Sequence, residues 1–339
     1  MKKSNALDIT HIGILGAGAM GTALAAQWSS SNHDVTLWDI RPSIVKEINE
    51  QHTNRLYFPH KHLPNALTAT SILAQAASLP IVIVAIPSNA MINVLKKARP
   101  FICRQAVMIN VAKGLDAATG LRMQELYDRV LNIQKNTVTY ATVSGPSMAH
   151  EIITKAPTAM SLGCMSKKIG CNVSNILSTS TLKFEPSTDV VGIELGGILK
   201  NVYAIAAGMC DGMKMGYNTK SWLMTHAYQE MRLWMKVFGA KQETLDGLSG
   251  IGDFIVTAMS PKGRNRMLGE RICVEGHCRF IKEINFGQTV EGLWSTKTLA
   301  RYKRRFKLRL PLFELVERVL YRKADPRKQI LKYFSTKSI

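Results

Sequence analysis

The sequence lacks the features that mark membrane, secreted and disulfide-stabilised proteins. No apolar run approaches the roughly 18 residues that a membrane-spanning helix needs, so we expect no such helix. The first ten residues are basic and polar, and glycines interrupt the apolar run that follows, so we expect no signal peptide. The six cysteines have no CxxC spacing, which favours reduced thiols over a disulfide framework. These absences predict a cytoplasmic globular protein.

One cysteine-containing segment has ligand-type residues but not the spacing of a metal site. Glu275 and His277 lie between Cys273 and Cys278. Structural zinc sites place cysteines and histidines at short, regular separations that this segment does not have. We therefore predict no metal site.

Acidic residues are scarce. The chain has 24 Asp and Glu against 44 Lys and Arg, which gives a formal net charge of +20. Such an excess attracts polyanions, which include nucleic acid, acidic membranes and phosphorylated substrates, but it says nothing about the fold. The length of 339 residues and the hydrophobic content of 46% are sufficient for two domains with substantial cores.

The segment 11–39 has the order of elements found in dinucleotide-binding units. An apolar strand, a glycine-rich turn, a helix and a second strand ending in an acid follow one another at residues 12–15, 16–21, 22–28, 34–38 and Asp39. In this order GxGxxG is a specific signal. Gly16 permits the tight turn, Gly18 lets a pyrophosphate approach the backbone, and Gly21 lets the helix pack on the strand.

The acid that ends the second strand bears on the choice of cofactor. Asp39 can bond the ribose hydroxyls of NAD and repel a 2′-phosphate. Arg41, two residues further on, can instead pair with that phosphate. The pattern favours NAD, and NADP stays open.

Further strands alternate with helices as far as about residue 143. Buried strands are predicted at 80–86, 105–111 and 137–143, and helices at 88–99 and 121–131. This alternation predicts an α/β fold with a doubly wound, Rossmann-type parallel sheet. Ligands bind beyond the carboxyl ends of such strands. The loops found there are 87–89, 112–114 and 144–147, and Lys113 is their one cation, either a ligand-binding or a solvated side chain.

Strand signals continue at 158–164 and 181–185 and then give way to helical periodicity. We therefore predict a dinucleotide-binding domain over 1–188 and a mostly α-helical substrate and catalytic domain over 189–339. The first helix of the second domain, 190–211, is apolar on nearly every side, which is typical of a buried helix.

Lys200 interrupts this apolar helix. Because desolvating an ammonium is expensive, Lys200 must face a wet cleft or pair with a carboxylate. A snorkelling side chain on a core helix and a proton donor with a shifted pKa are both open on this evidence.

Two glycine-containing segments of the second domain carry polar groups. Gly247, Gly250 and Gly252 predict a loop, and Asp253 follows them immediately before an apolar turn. Further along, Arg264 and Asn265 stand in a second predicted loop, where they suit either an oxyanion ligand or a solvated surface.

These motifs, taken in order, resemble those of the bacterial NAD(P)-dependent glycerol-3-phosphate dehydrogenases. The resemblance extends from about residue 12 to about residue 320. Its most specific parts are AKGLD at 112–116, SGPS at 144–147, ELGGILKNVYAIAAGMCDG at 194–212, GLSGIGDFIVT at 247–257, GRN at 263–265 and GQTVEG at 287–292.

The resemblance implies roles for individual residues. It assigns to the cofactor Gly16, Gly18, Ala19, Met20, Gly21, Lys113, Ala149, Arg264 and Glu291. It assigns to the substrate Lys113, Gly145, Ser147, Lys200, Asp253, Thr257, Gly263, Arg264 and Asn265. Lys200 is the implied proton donor or acceptor, Lys113 contacts substrate near the nicotinamide, and Asp253 orients the reacting groups.

The implied reaction interconverts dihydroxyacetone phosphate and sn-glycerol 3-phosphate with NAD or NADP and feeds glycerophospholipid synthesis. Adding hydride to the ketone leaves charge on oxygen, which two lysines can stabilise. We further expect a phosphorylated small-molecule substrate, a homodimer and no nucleic-acid partner.

Some features depart from the family pattern. Trp222 and His226 stand where the family has a small residue and an arginine, and 271–282 fits poorly. The run 301–309 is unusually basic, and weak docking on an anionic membrane and a solvated helix face are both open. A related hydroxy-acid or sugar-phosphate dehydrogenase, or a non-catalytic dinucleotide or polyanion-binding relative, is the alternative function.

Overall fold

The computed structural model describes residues 10–31, 33–132, 138–274 and 290–335. The chain forms two compact units. The first comprises Met1–Ala112, Met123–Val143 and Ser147–Val190, and the second comprises Lys113–Arg122, Ser144–Pro146 and Val191–Ile339. The short stretches 113–122 and 144–146 thus group with the second unit, although the sequence assigns them to the first predicted domain.

The first unit is built on a mostly parallel sheet. Its strands are β1 His11–Leu15, β2 Asp34–Trp38, β3 Thr68–Thr70, β4 Ile81–Val84, β5 Val107–Asn110, β6 Thr139–Ser144, β7 Thr158–Cys164 and β8 Leu182–Ser187. Their order is β3-β2-β1-β4-β5-β6-β7-β8, and the pairs β1–β2, β1–β4, β2–β3, β4–β5, β5–β6 and β7–β8 are parallel. The order reverses between β1 and β4, where doubly wound sheets bind ligands. The predicted fold class is therefore confirmed.

The helices of the first unit connect these strands. They are α1 Ala19–Ser29, α2 Pro42–Gln51, α3 Leu73–Ala77, α4 Met91–Ala98, α5 Met123–Leu131, α6 Ala149–Ile152 and α7 Lys167–Leu177. Every residue of β4 and β5 is buried, as expected of strands in the middle of a parallel sheet. The helix predicted over 88–99 is shorter, because 3₁₀ turns at Ser88–Ala90 and Arg99–Phe101 flank it, each beside a proline.

The second unit is helical. Its helices are α8 Val190–Gly212, α9 Gly216–Val237, α10 Gln242–Asp246, α11 Asp253–Met259, α12 Arg264–Val274, α13 Glu291–Arg305, α14 Pro311–Arg322 and α15 Pro326–Ser335. Among the described residues, α8 alone has the length and composition of a membrane span, but 94% of its most apolar window is buried inside the protein. The prediction of a buried core helix is confirmed.

The glycine-rich segment before Asp253 differs from the sequence prediction. We predicted a loop there, but Leu248–Gly252 forms a π-helical turn that leads directly into α11. Close packing explains the glycines, because a Cβ on Gly250 would lie 2.0 Å from the carbonyl oxygen of Leu245. The turn brings Asp253 to the first position of α11, where the carboxylate is buried.

Candidate active site

The glycine-rich turn of the first unit has the geometry that dinucleotide binding requires. Gly16 has φ of +111°, a conformation that residues with a Cβ rarely adopt. A Cβ on Gly21 would lie 1.9 Å from the carbonyl oxygen of Gly16, so only glycine allows this close packing. A Cβ on Gly18, by contrast, would meet no heavy atom within 4 Å. The open side of the turn therefore has room for a pyrophosphate beside the backbone.

The other residues assigned to the cofactor in this unit lie at helix starts. Ala19 and Met20 begin α1, whose first turn contains no acidic residue that would oppose an anion. Ala149 begins α6, and Ser147, which the resemblance assigns to the substrate, precedes that helix.

The carboxylate of Asp39 is hydrogen-bonded to other groups of the first unit. Its Oδ2 accepts a hydrogen bond from the backbone N–H of Ala17 at 2.9 Å, and both carboxylate oxygens accept from the Arg41 guanidinium at 2.8 and 3.0 Å. Burial alone would raise the pKa of Asp39, but Arg41 and the Ala17 amide hold that pKa below its usual value. Asp39 therefore fixes the glycine-rich turn and orients Arg41. Its predicted bond to the ribose hydroxyls remains a prediction.

Three charged side chains meet in the second unit. Asp253 Oδ2 accepts from Lys113 Nζ at 2.7 Å, and its Oδ1 accepts from Lys200 Nζ at 2.5 Å. The carboxylate is 1% exposed, and the Lys113 and Lys200 side chains are 17% and 8% exposed. The solvated-loop alternative for Lys113 and the snorkelling alternative for Lys200 are therefore wrong.

Neighbouring polar groups hold the two ammonium groups in place. Lys113 Nζ also donates to the Gly145 carbonyl at 2.9 Å, and Lys200 Nζ donates to Thr257 Oγ1 at 2.8 Å. Each ammonium thus bridges the carboxylate and a second acceptor.

Two further residues support this group and were not predicted as site residues. Ser144 Oγ donates to Asp253 Oδ2 at 3.1 Å, and Asn201 Nδ2 donates to the Lys113 carbonyl at 3.1 Å. A sequence signal existed for both: Ser144 ends β6 beside Gly145, and Asn201 follows Lys200. A Cβ on Gly197 would lie 2.7 Å from Ser144 Oγ, which explains a glycine on this face of α8.

Burial and charge set the protonation of the site. Burial lowers the pKa of Lys200 to about 7; the Asp253 carboxylate acts in the opposite direction, and the Lys113 ammonium lowers it further. Burial would raise the pKa of Asp253, but the two ammonium groups outweigh it and keep that pKa below its usual value. Near neutral pH the site thus combines an ionised carboxylate with a lysine that can gain or lose a proton.

Three residues that the resemblance assigns to the substrate, Gly263, Arg264 and Asn265, lie around the start of α12. Arg264 is its exposed first residue, not part of a loop as predicted, and Gly263 is buried before it. Asn265 is buried, donates to Asn201 Oδ1 at 2.8 Å and accepts from the Gly292 amide at 2.9 Å. Asn265 therefore links the start of α13, where Glu291 is the first residue, to the Lys113–Asn201 contact.

The two departures from the family pattern pack against the C-terminal helix. Trp222 and His226 form an aromatic cluster with Tyr333 and Phe334, with ring centroids 4.9 to 5.6 Å apart. His226 Nδ1 and the Tyr333 hydroxyl are hydrogen-bonded at 2.8 Å. These side chains are structural contacts of α9 with α15.

The cysteine segment considered as a metal site lies mostly outside the described residues, as does the first half of GQTVEG. Cys273 is described and is a free thiol, whereas 275–289 are not described. Within the described ranges, no three His, Cys, Asp or Glu side chains are grouped as metal ligands. The absence of a metal site therefore stays a prediction.

The fold and these residues define an α/β protein of the dinucleotide-binding class with a buried lysine–aspartate–lysine group in its helical unit. Residues 11–170 match the family model of the NAD-dependent glycerol-3-phosphate dehydrogenase N-terminus, and residues 189–331 match that of its C-terminus. The chain therefore belongs to the NAD-dependent glycerol-3-phosphate dehydrogenase family, and the resemblance stated above is confirmed.

Individual relatives are similar over nearly their whole length. The glycerol-3-phosphate dehydrogenase (NAD(P)+) of Corynebacterium diphtheriae is 36% identical over 92% of this chain and 94% of its own. The glycerol-3-phosphate dehydrogenase (NAD(P)+) of a Geobacter species is 33% identical over 94% of this chain and 95% of its own. A crystal structure of glycerol-3-phosphate dehydrogenase from Coxiella burnetii has a TM-score of 0.89 at 31% identity and covers 96% of this chain and 99% of its own.

Proposed function

We propose that this protein interconverts dihydroxyacetone phosphate and sn-glycerol 3-phosphate with NAD or NADP, and thereby supplies the backbone of glycerophospholipids. The observation that carries this proposal is the buried Lys113–Asp253–Lys200 group, in a chain whose relatives are named for this reaction. The test is oxidation of NADH or NADPH by the purified protein with dihydroxyacetone phosphate. No oxidation with either cofactor would reject the proposal.

The residues of the second unit take distinct roles in this reaction. The nicotinamide supplies or accepts the hydride, and the protein manages the charge and the proton on the substrate oxygen. Lys200 donates its proton to the oxygen during reduction and accepts one during oxidation. Lys113, held by Asp253 and the Gly145 carbonyl, stabilises the developing negative charge. Asp253 aims both ammonium groups.

Substrate recognition rests on a phosphate site at the start of α12. We assign the phosphate to Arg264, with Thr257, Gly263 and Asn265 shaping the site. Ser147 and Gly145 are also assigned to the substrate. A guanidinium at the first position of a helix combines a forked cation with the positive end of the helix dipole. Such a site favours a phosphorylated substrate over the unphosphorylated hydroxy acid that a related hydroxy-acid dehydrogenase would bind. A non-catalytic relative has no use for two lysines on one buried carboxylate.

We assign the dinucleotide to residues 1–188 and catalysis chiefly to 189–339, with Lys113 and Gly145 contributing from the earlier part of the chain. Asp39 and Arg41 are the residues that set the cofactor preference. The preference is for NAD, because a buried carboxylate beside the turn repels a 2′-phosphate. A kcat/KM at least about tenfold higher with NADPH, or about 1.4 kcal/mol, contradicts this preference.

We also propose a cytoplasmic homodimer that contacts anionic membranes weakly through the end of α13. Lys303 is paired with Glu314 at 2.7 Å, but Arg305, Lys307 and Arg309 are exposed, and Phe306 is 39% exposed among them. Exposed cations beside an aromatic ring suit an anionic lipid surface. Vesicles containing phosphatidic acid should sediment the wild-type protein at low salt but not the variant Lys307→Glu/Arg309→Glu. Equal sedimentation of both proteins refutes the membrane contact.

A further inference from the structure

The outer face of α13 carries a stripe of cations that the proposed reaction does not use. Trp294, Lys297, Arg301 and Arg304 recur at intervals of three and four residues and therefore lie along one face of the helix. All four are exposed. The buried residues of the helix are Gly292, Ser295, Thr296, Thr298, Leu299 and Ala300. The stripe is about 15 Å long at 1.5 Å per residue.

The stripe borders a concave cavity within the second unit. The cavity has a volume of about 360 Å³ and is lined by Ala117, Trp294, Lys297, Thr298, Arg301 and Arg304. This volume is in the range of small-molecule sites. One wall belongs to the stretch 113–122, which α13 holds by two hydrogen bonds. The Tyr302 hydroxyl donates to the Gly120 carbonyl at 3.0 Å, and Arg301 donates to the Ala117 carbonyl at 3.4 Å.

The cations of the stripe are poorly neutralised. Arg304 is 3.9 Å from Glu317, and Lys297 has no hydrogen-bond or ion-pair partner in the described part of the chain. Glu291, the one acid of α13, lies at the other end of the stripe. Like charges three and four residues apart on a helix repel each other. An anion bound in the cavity relieves this repulsion.

We propose that this cavity binds a nucleotide, a soluble phosphate ester that carries a planar base. Two guanidinium forks and an ammonium match a chain of phosphates, because arginine binds phosphate oxygens in pairs. The indole of Trp294, 47% exposed at the end of the stripe, offers a stacking face for the base. A bare phosphate leaves this ring unused, and a flat lipid surface does not fill a concave cavity.

The direct test is calorimetric titration of the full-length protein with ADP, pyrophosphate or adenosine, carried out in the variant Gly18→Asp as parent. A carboxylate on the open side of the dinucleotide turn, where a side chain meets no heavy atom within 4 Å, repels phosphates there and so separates the cavity from the turn of the first unit. Pyrophosphate and adenosine each satisfy one half of the site. We therefore expect ADP to bind at least tenfold more tightly than either of them, a difference of about 1.4 kcal/mol. Lys297→Glu/Arg301→Glu should weaken ADP binding at least tenfold. Trp294→Ala should weaken ADP binding but leave pyrophosphate binding unchanged.

The matched control is Lys307→Glu/Arg309→Glu, which removes the same charge from the neighbouring segment outside the cavity. It should keep the ADP affinity of the Gly18→Asp parent, and both double variants should keep the thermal midpoint of that parent. Three results overturn the proposal: equal losses in both double variants, no ADP binding to the parent, or vesicle binding that depends on Lys297 and Arg301 while ADP does not bind. The titration does not require dehydrogenase activity, so a failed proposal for the reaction leaves it interpretable.

Discussion

At the scale of single residues, the environment of Lys200 changes what its ammonium can do. Two of its hydrogens are held by Asp253 and Thr257, and its third has no acceptor among the described residues. Desolvation brings its pKa to about 7, far from that of a lysine in water. This combination fits a proton donor and acceptor better than a purely structural cation.

Substitution of Lys200→Met tests this role. The side chain keeps its length and apolar stem, and Asp253 keeps Lys113 as a partner, so the fold and the affinity for NADH should persist. Turnover should fall by at least about 100-fold, the lower range for loss of a general acid. Steady-state kinetics, NADH titration and thermal unfolding together give the answer. Turnover above a tenth of wild type with a lowered thermal midpoint would make Lys200 a structural cation.

The pH dependence of the reaction should follow the same lysine. Oxidation of glycerol 3-phosphate needs neutral Lys200, so its kcat/KM should rise with pH through about 7 and then level off. Reduction needs protonated Lys200, so its kcat/KM should fall above that pH. Thr257→Val removes an oxygen that stabilises the ammonium and should move both transitions to lower pH. Profiles that are flat between pH 6 and 8 would contradict the assignment; these limits are about one unit either side of the transition.

The lowered pKa of Lys200 also makes the stability of the folded protein depend on pH in a definite direction. The pKa of Lys200 is lower in the folded protein than in the unfolded chain, so the unfolded chain binds more protons between pH about 7 and about 10.5. Through this window Lys200 alone makes the folded state more stable as the pH rises. The burial that tunes Lys200 for proton transfer therefore lowers the free energy of unfolding, and it does so most at low pH.

Arg264 is the residue that should distinguish the phosphorylated substrate. Arg264→Ala should cost about 2–4 kcal/mol in kcat/KM with dihydroxyacetone phosphate, because a charged partner of the phosphate is lost. With dihydroxyacetone, which lacks the phosphate, both proteins should be equally slow. Arg271→Ala, on the last turn of the same helix, is the matched control and should change neither rate. Equal losses on the two substrates would move the phosphate site elsewhere.

Single residues also show where sequence reasoning ends. Lys200 was recognisable because a charged group in an apolar helix needs an explanation. Lys113 was left open as either a ligand-binding or a solvated side chain, and the role of Asp253 came from the family resemblance. The bonds of Asp39 to Arg41 and to the Ala17 amide were not predictable, since nothing in the sequence says whether an acid after a strand turns outward or back onto the chain. Ser144 was missed for a similar reason: its partner Asp253 is 109 positions away.

At the scale of elements, periodicity predicted the strands and the buried helix because those patterns report burial directly. Local composition was a poorer guide where packing overrides it. Three glycines in 247–252 signal a loop, yet tertiary contacts hold a π-helical turn there. The short strand β3 lacks enough residues for a pattern, and its place at the sheet edge depends on pairing with β2.

Helix α8 allows a matched pair of substitutions. A Cβ on Gly208 would lie 1.8 Å from the backbone oxygen of Arg266, whereas one on Gly197 would meet the side chains of Ser144 and Lys113 at 2.7 and 3.3 Å. Backbone cannot move aside cheaply, so Gly208→Ala should cost about 1–3 kcal/mol of stability, as overpacking does. Gly197→Ala displaces the side chains around Asp253. Its free-energy cost in kcat/KM should therefore exceed its cost in the free energy of unfolding. Thermal unfolding and kinetics on both variants decide, and the reverse ranking contradicts this view of α8.

At the scale of the whole molecule, the net charge of +20 opposes compact folding through self-repulsion. Part of the excess stands in an unfavourable place, since the exposed Lys167 and Lys168 occupy the first turn of α7, next to the positive end of the helix dipole. The cap of this helix is intact, because Ser166 Oγ accepts from the Ile169 amide. At these two lysines, the self-repulsion of the whole protein and the unfavourable interaction with the helix dipole both lower the stability of the folded state.

The variant Lys167→Glu/Lys168→Glu should therefore be more stable than the wild-type protein. Each change removes two units of positive charge and places an acid at the helix start, where each favourable dipole interaction contributes about 0.3–1 kcal/mol. The thermal midpoint should rise by about 2–4 °C in low salt. Lys167→Gln/Lys168→Gln, which removes half as much charge, should lie between the two. The gain should shrink between about 20 and 500 mM NaCl, as screening shortens the range of every charge. A gain that is independent of salt would mean that helix propensity, and not charge, accounts for the difference.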